Sequence, residues 1–492
     1  MSTLVAPFTL FGSSRLLWPA IGIGVGALLG LLPWQVGLPL SLAGSALFLS
    51  IARPRLAAYG LAVASPLATV AELRLGVIGV TAADGLIVLA LAGLLLQVAR
   101  DRSPLAPPWV LAGVVPFLCL ALLSTGWIVS VPLAVKEIVR WAQFGLMIAL
   151  VPTALVRRGH ALRFAAVLLG GGAIEGILGA YQFAFRVGPP SFEVGRFFRA
   201  HGTYGQPNPF AGYMEMVLPI ALALAVAGAL ALVRAGAGPG AAAARFPRAL
   251  VVLALSVATI TGAALPMSYS RGAWIGLAAG LVAMVLFAGR RAIGVVGIAA
   301  IAALLVGSLG LVDLLPASVS DRILSITRSF GVFDARRVVP TAESWAAVER
   351  MAHWQAAWGM FLSQPLRGVG IGQYVAVYAD YHIVPWANPL GHAHNYYLNV
   401  LAELGVPGLM LYLGMLAGMV ATTVRAIGAA HDPVLRALAV GILGVLVATA
   451  VHNVFDNLYV AGMNVHLGAL VGLAVAVGRI SRRVVDSPHF AP

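Results

Sequence analysis

Residues 391–409 read GHAHNYYLNVLAELGVPGL, with His392, His394, Asn395 and Glu403 set in an otherwise apolar stretch. A neutral imidazole is the usual group for removing a proton near pH 7, so a histidine here is a candidate general base. Three further stretches are polar in the same way. RVGPPSFEVGRFFRAHGTYGQPNPFAGY (186–213) carries Arg196, Arg199, His201, Gln206 and Asn208, MSYSRGAW (267–274) carries Arg271, and VHNVFDN (451–457) carries His452, Asn453 and Asp456. Arg271 lies in a short gap between two apolar runs with no acidic neighbour in sequence, an expensive position unless a partner is found. A forked guanidinium matches phosphate oxygens bidentately and keeps its charge, so Arg196, Arg199 and Arg271 are candidate ligands of a diphosphate. Asn208 and the N-terminus of the following helix add donors for the same anion. Lys136, Glu137 and Arg140 form a separate group in which the glutamate serves to neutralise its neighbours.

These residues must be positioned by membrane helices. Hydrophobic residues make up 60% of the chain and charged residues 10%, against roughly a quarter charged in a soluble domain. Apolar runs of about 17–25 residues, the length that crosses about 30 Å of hydrocarbon, recur throughout. The fold expected is an all-α polytopic membrane helix bundle of about 12–14 transmembrane helices, because helices satisfy their own backbone in lipid. Spans are placed at 15–31, 34–51, 56–72, 77–98, 108–129, 133–155, 162–186, 210–233, 248–268, 272–289, 292–312, 398–424, 434–453 and 457–478. With the N-terminus inside, every inside loop contains arginine, so the net charge of +14 is a topology signal and nucleic acid need not be invoked. Both termini are then cytoplasmic. Helices 1–11 occupy residues 1–312, one large loop (313–397) lies outside, residues 398–478 hold the last three spans, and 479–492 form a cytoplasmic tail. The start of the chain lacks a basic n-region and cleavage site, and the single Cys119 carries no disulfide information.

Within the loop, TAESWAAVERMAHWQAAWGMFLSQP reads as a helix capped by Thr341 and stopped by Pro365, with Glu343 in its first turn. Ala347, Met351, Trp354, Trp358 and Phe361 form a stripe at helical spacing, suited to the membrane surface or to neighbouring helix ends. GVGIGQY (368–374) follows without a strand before it and reads as a flexible turn.

Taken in order, AHGTYGQPNPFAGY, SYSRGAW, the W…PLRGVGIGQY pattern and GHAHNYYLNVLAELGVPGL resemble the O-antigen ligase and polymerase superfamily of bacterial inner membranes, over about residues 196–460. The resemblance implies a metal-independent, inverting glycosyltransferase with no cofactor. Its donor would be an undecaprenyl-diphosphate-linked glycan and its acceptor lipid A-core, another glycan or a protein hydroxyl, on the periplasmic face; separately, a monomer among membrane lipids is expected because nothing in the sequence suggests a dimer interface. It implies His394 as the essential loop histidine, Arg199 and Arg271 as phosphate-binding arginines, and Asp456 as a functional aspartate. Arg196 stands beside the matched arginine, and His392, Asn395, Asn208 and Glu403 take supporting roles. The chemistry agrees, since a glycosyl diphosphate already has a good leaving group and lacks only an activated nucleophile and charge stabilisation. Ligase is the first reading of the acceptor and polymerase the second. Two other classes are open: a zinc hydrolase using His392 and His394 with His353 or Glu403, and a transporter of lipid-linked glycans.

Overall fold

The computed structural model describes residues 44–45, 54–67, 72–75, 78–101, 108–194, 197–236, 246–288, 331–341 and 344–485. The expected spans 15–31, 34–51 (apart from Gly44 and Ser45) and 292–312 lie outside these residues. The described helices are α1 (Pro54–Leu61), α2 (Ala64–Leu67), α3 (Ala82–Asp101), α4 (Pro108–Leu111), α5 (Val114–Leu123), α6 (Val131–Ala154), α7 (Arg158–Phe185) and α8 (Pro207–Gly236). They continue as α9 (Arg248–Met267), α10 (Arg271–Ala288), α11 (Trp345–Ser363), α12 (Tyr374–Tyr381), α13 (Tyr396–Ala429), α14 (Pro433–His452) and α15 (Met463–Val485). Two short antiparallel pairs, β1 (Glu72–Leu75) with β2 (Ile78–Thr81) and β3 (Glu193–Val194) with β4 (Phe197–Phe198), are the strands among the described residues. The chain is an all-α polytopic bundle. Seven described helices, α7 to α10 and α13 to α15, are long and apolar enough to cross a membrane.

Three expected spans differ in form, the run 77–98 opening with β2 before α3. The run 56–72 breaks into α1, α2 and the start of the β1–β2 hairpin, and 108–129 is divided between α4, α5 and a 3-10 turn (Ser124–Trp127). Both runs are interrupted by proline or glycine (Pro66, Gly113), which hydropathy alone does not register. In α6, Glu137 pairs with Arg140 at 2.5 Å.

The core is built around α14 and α15. α14 packs against α8, α10 and α13, while α15 packs along α6 and α13. Close approach depends on small residues, the usual device where apolar lipid offers no hydrophobic drive between helices. A Cβ added at Gly280 of α10 would lie 2.5 Å from the Gly444 carbonyl of α14, and one at Gly468 of α15 would lie 2.7 Å from the Phe144 carbonyl of α6.

α11 starts at Trp345 with Ser344 as its N-cap, while Thr341 exchanges hydrogen bonds with Ser344 just before it. The buried face shares only Met351 with the tryptophan stripe. Val348, Met351, Ala352, Ala356 and Met360 are buried, whereas Trp358 is 47% exposed. α11 lies on α13, and the alanines allow an approach that the indoles would block. The glycine turn after it is held rather than loose. Val369 N–H donates to the Ala402 carbonyl (3.0 Å), Gly370 N–H to the Glu403 carbonyl (2.8 Å) and Ile371 N–H to Ser124 Oγ (3.1 Å).

Candidate active site

The turn entering α13 is set by two asparagines. Asn395 caps the helix by accepting from Leu398 N–H (3.0 Å), and Asn399 Oδ1 accepts from Ala393 N–H (3.1 Å). Just before them His394 adopts φ +51°, unusual for a residue with a side chain. Its amide donates to His392 Nδ1 (3.0 Å) and its carbonyl accepts from Trp354 Nε1–H of α11 (3.1 Å). The two imidazole rings stand edge to face, 4.4 Å between centroids.

Asp456, in the turn after α14, is buried beside them. Its Oδ1 lies 3.4 Å from His394 Nδ1 and 3.7 Å from His392 Nε2, and accepts from Asn457 N–H (2.8 Å). Its Oδ2 accepts from Asn208 Nδ2–H (2.7 Å), and Asn208 Oδ1 accepts from Arg199 Nη2–H (3.0 Å). Arg199 Nε–H donates to the Ser268 carbonyl (2.8 Å). One polar chain therefore joins the start of α13, the end of α14, the start of α8 and the end of α9. It assembles four stretches that are far apart in sequence.

Burial works to raise the Asp456 carboxyl, but the hydrogen bond and charge of His394, with the charges of His392 and His452, hold it well below the usual carboxylate range. Asp456 is thus an anion facing two imidazoles. Burial lowers His392 to about 4, against the opposing pull of Asp456, so this ring is neutral at pH 7. Burial, with the charges of His394 and His392, likewise lowers His353 to about 3.

Ligand atoms of His392, His394 and Asp456 lie within 4.8 Å of one another, close enough for a metal ion. The tautomer of His392 opposes this. Its Nδ1 accepts the His394 amide hydrogen, so the ring proton of the neutral form resides on Nε2, the atom that would have to ligate. A metal-bound histidine donates its second N–H outward; His392 has an amide donor in that place.

A cavity of about 560 Å³ opens onto this cluster, and Arg199, Asn208, Arg271, Arg350, His394 and Asp456 all line it. Of the residues singled out in the sequence, His392 and Asn395 stand next to the cavity, and Arg196 lies outside the described residues. Glu403 belongs elsewhere. Its two oxygens accept from Gly372 N–H (2.8 Å) and Tyr374 N–H (3.0 Å), clamping the glycine turn to α13. His201 bonds the Gly202 and Val187 carbonyls and is structural.

Arg350 of α11 was not legible as a site residue. Its neighbour Glu349 makes it read as half of a solvated ion pair, yet its Nε is buried without a hydrogen-bond partner among the described residues. Burial lowers its pKa, with the charges of Asp456 and Glu349 opposing, and an arginine so placed keeps its proton. A charged guanidinium with a buried, unbonded N–H on a cavity wall is a candidate site for an anion. The signal available was its place one turn before Trp354, among polar residues on a helix otherwise rich in alanine.

Residues 251–413, a third of the chain, match the family model described as O-Antigen ligase, covering Arg271, Arg350, His392 and His394. No curated protein matches the chain.

Proposed function

We propose, on the match of residues 251–413 to the O-antigen ligase family model, that the chain passes a glycan from an undecaprenyl-diphosphate carrier to lipid A-core at the outer face of the bacterial inner membrane. At the coarser level it is a membrane glycosyltransferase of the ligase and polymerase type, with a lipid-linked glycan donor and a glycan acceptor. The observation that carries the finer reading is a single cavity lined by an imidazole backed by a carboxylate and by three arginines from separate elements.

In this reading the acceptor hydroxyl oxygen attacks the anomeric carbon while the bond from that carbon to the diphosphate oxygen breaks on the opposite face, inverting configuration. His394 takes the hydroxyl proton. Its Nδ1 is buried against Asp456, which leaves Nε2 as the ring nitrogen open to the acceptor. Asp456 fixes that tautomer and favours the imidazolium that forms. The 3.4 Å contact is longer than ideal, as catalytic hydrogen bonds often are without substrate. Arg271, Arg350 and Arg199 offset the charge that accumulates on the departing diphosphate, where electrostatics contributes most. The leaving group needs no metal, and the His392 tautomer disfavours one.

The reading is tested with protein purified in detergent, given undecaprenyl-diphosphate-linked glycan and lipid A-core. Mass analysis should show glycan covalently joined to the core, with EDTA having no effect. Glycan movement only across sealed vesicles would mark a transporter. Activity abolished by EDTA and restored by zinc would mark a metalloenzyme. For orientation, a cysteine at 331–341 should react with impermeant reagents from outside and one at His431 should not.

A further inference from the structure

The run MEMVLPIALALAV in α8 contains one carboxylate, Glu215, and an acid inside a membrane helix needs a reason to be there. Its partner is His452, the last residue of α14, with His452 Nδ1 2.6 Å from Glu215 Oε2. Both side chains are buried. The first turns of α10 press onto this pair. A Cβ at Gly272 would come within 2.9 Å of His452 Nε2, and one at Gly276 within 2.5 Å of Glu215 Oε1. His452 and Gly272 both line the cavity, and Gly272 directly follows Arg271.

The short Nδ1–Oε2 bond holds one proton between acid and ring. If Glu215 is a carboxylate and His452 an imidazolium, Nε2 bears a proton. If Glu215 is protonated and donates to Nδ1, the neutral ring again carries its proton on Nε2. Only a carboxylate beside a neutral Nδ1–H ring would leave Nε2 bare, and that leaves an uncompensated negative charge buried among apolar helices. Such a charge would also repel the phosphate expected next to it. We propose that the Glu215–His452 pair is part of the anion site, with Glu215 fixing the ring through Nδ1 and His452 donating Nε2–H to the lipid diphosphate beside Arg271. The pair adds a donor without adding net charge to the helix bundle. It also accounts for glycine at 272, where a side chain would cover Nε2.

This rests on the diphosphate site proposed above, and one binding series separates the two. The full-length protein in detergent is titrated with undecaprenyl diphosphate and, separately, with undecaprenol, which lacks phosphate. Glu215→Gln and His452→Gln should each weaken undecaprenyl diphosphate binding roughly tenfold or more, the loss of one charge-assisted hydrogen bond, and leave undecaprenol binding unchanged. If Arg271→Lys and Arg350→Lys weaken diphosphate binding while both pair variants bind normally, this inference fails and the anion site stands. If none of the four variants changes binding, the anion site itself is wrong. An equal loss for undecaprenol would mark the pair as structural packing only. Should the pair variants not fold, nitrogen-15 NMR of histidine-labelled wild type decides: the His452 Nε2 signal should be that of a protonated nitrogen and should move when undecaprenyl diphosphate is added. An unprotonated Nε2, free and bound, overturns the proposal.

Discussion

Two buried carboxylates, Glu403 within the segment 391–409 and Asp456 packed against its histidines, are used in opposite ways. Glu403 gives both oxygens to backbone N–H groups of a glycine turn and does not line the cavity. Asp456 accepts from Asn208 and Asn457 and keeps one oxygen near two imidazoles at the edge of a cavity. A carboxylate saturated by main-chain donors is a brace; one that faces titratable side chains beside open space is equipped for proton chemistry. Burial is common to both, so burial by itself does not tell a site from a strut.

The sharpest test of that contrast lies on the Asp456 side. His394→Ala should lower transfer by about two to four orders of magnitude while donor binding persists, the range of general base catalysis. Near wild-type turnover would remove His394 from the chemistry and with it the meaning assigned to Asp456.

On the brace side, Glu403→Ala strands two buried N–H groups at about 1–3 kcal/mol each. Thermal unfolding in detergent should show the loss, and Glu403→Gln, which keeps an acceptor, should lose less. A Glu403→Ala protein as stable as wild type but inactive would move Glu403 into the catalytic group and dissolve the distinction.

His392 provides a pH test. Its folded value, about 4, lies below the ordinary 6.5, so on acidification the unfolded chain takes up the proton first. Stability should therefore be full above pH 6.5 and fall as pH drops toward 4, by about 2 kcal/mol at pH 5. His392→Asn, whose side-chain oxygen can accept from the same residue 394 amide, should flatten that slope between pH 7 and 5. An unchanged slope would place the acid sensitivity in other groups.

The smallest effect expected is in Arg350→Lys, which keeps the charge and loses the fork. Donor affinity should weaken about tenfold, read as a rise in KM more than a fall in kcat. Unaltered kinetics would leave Arg350 as wall rather than ligand.

Composition and helical periodicity were enough for the membrane class and for most long helices, because a 20-residue apolar run has essentially one stable form in lipid. The identities of His394, Arg271, Asn208 and Asp456 as chemically equipped residues were legible too, since polar groups at helix ends stand out against a 60% hydrophobic chain. What the sequence could not show was contact between residues hundreds of positions apart. Asn208 meets Asp456, and Glu215 meets His452, only because α8 and α14 pack side by side. Helical spacing marked the tryptophan stripe of α11, but which face of the helix meets α13, the one with Ala352 and Ala356, was decided by tertiary packing. Arg350 and Glu403 show the same limit from two sides. Each is a charged residue in a helix, and whether its charge is answered by backbone donors or left open to a cavity depends on what the tertiary structure brings against it.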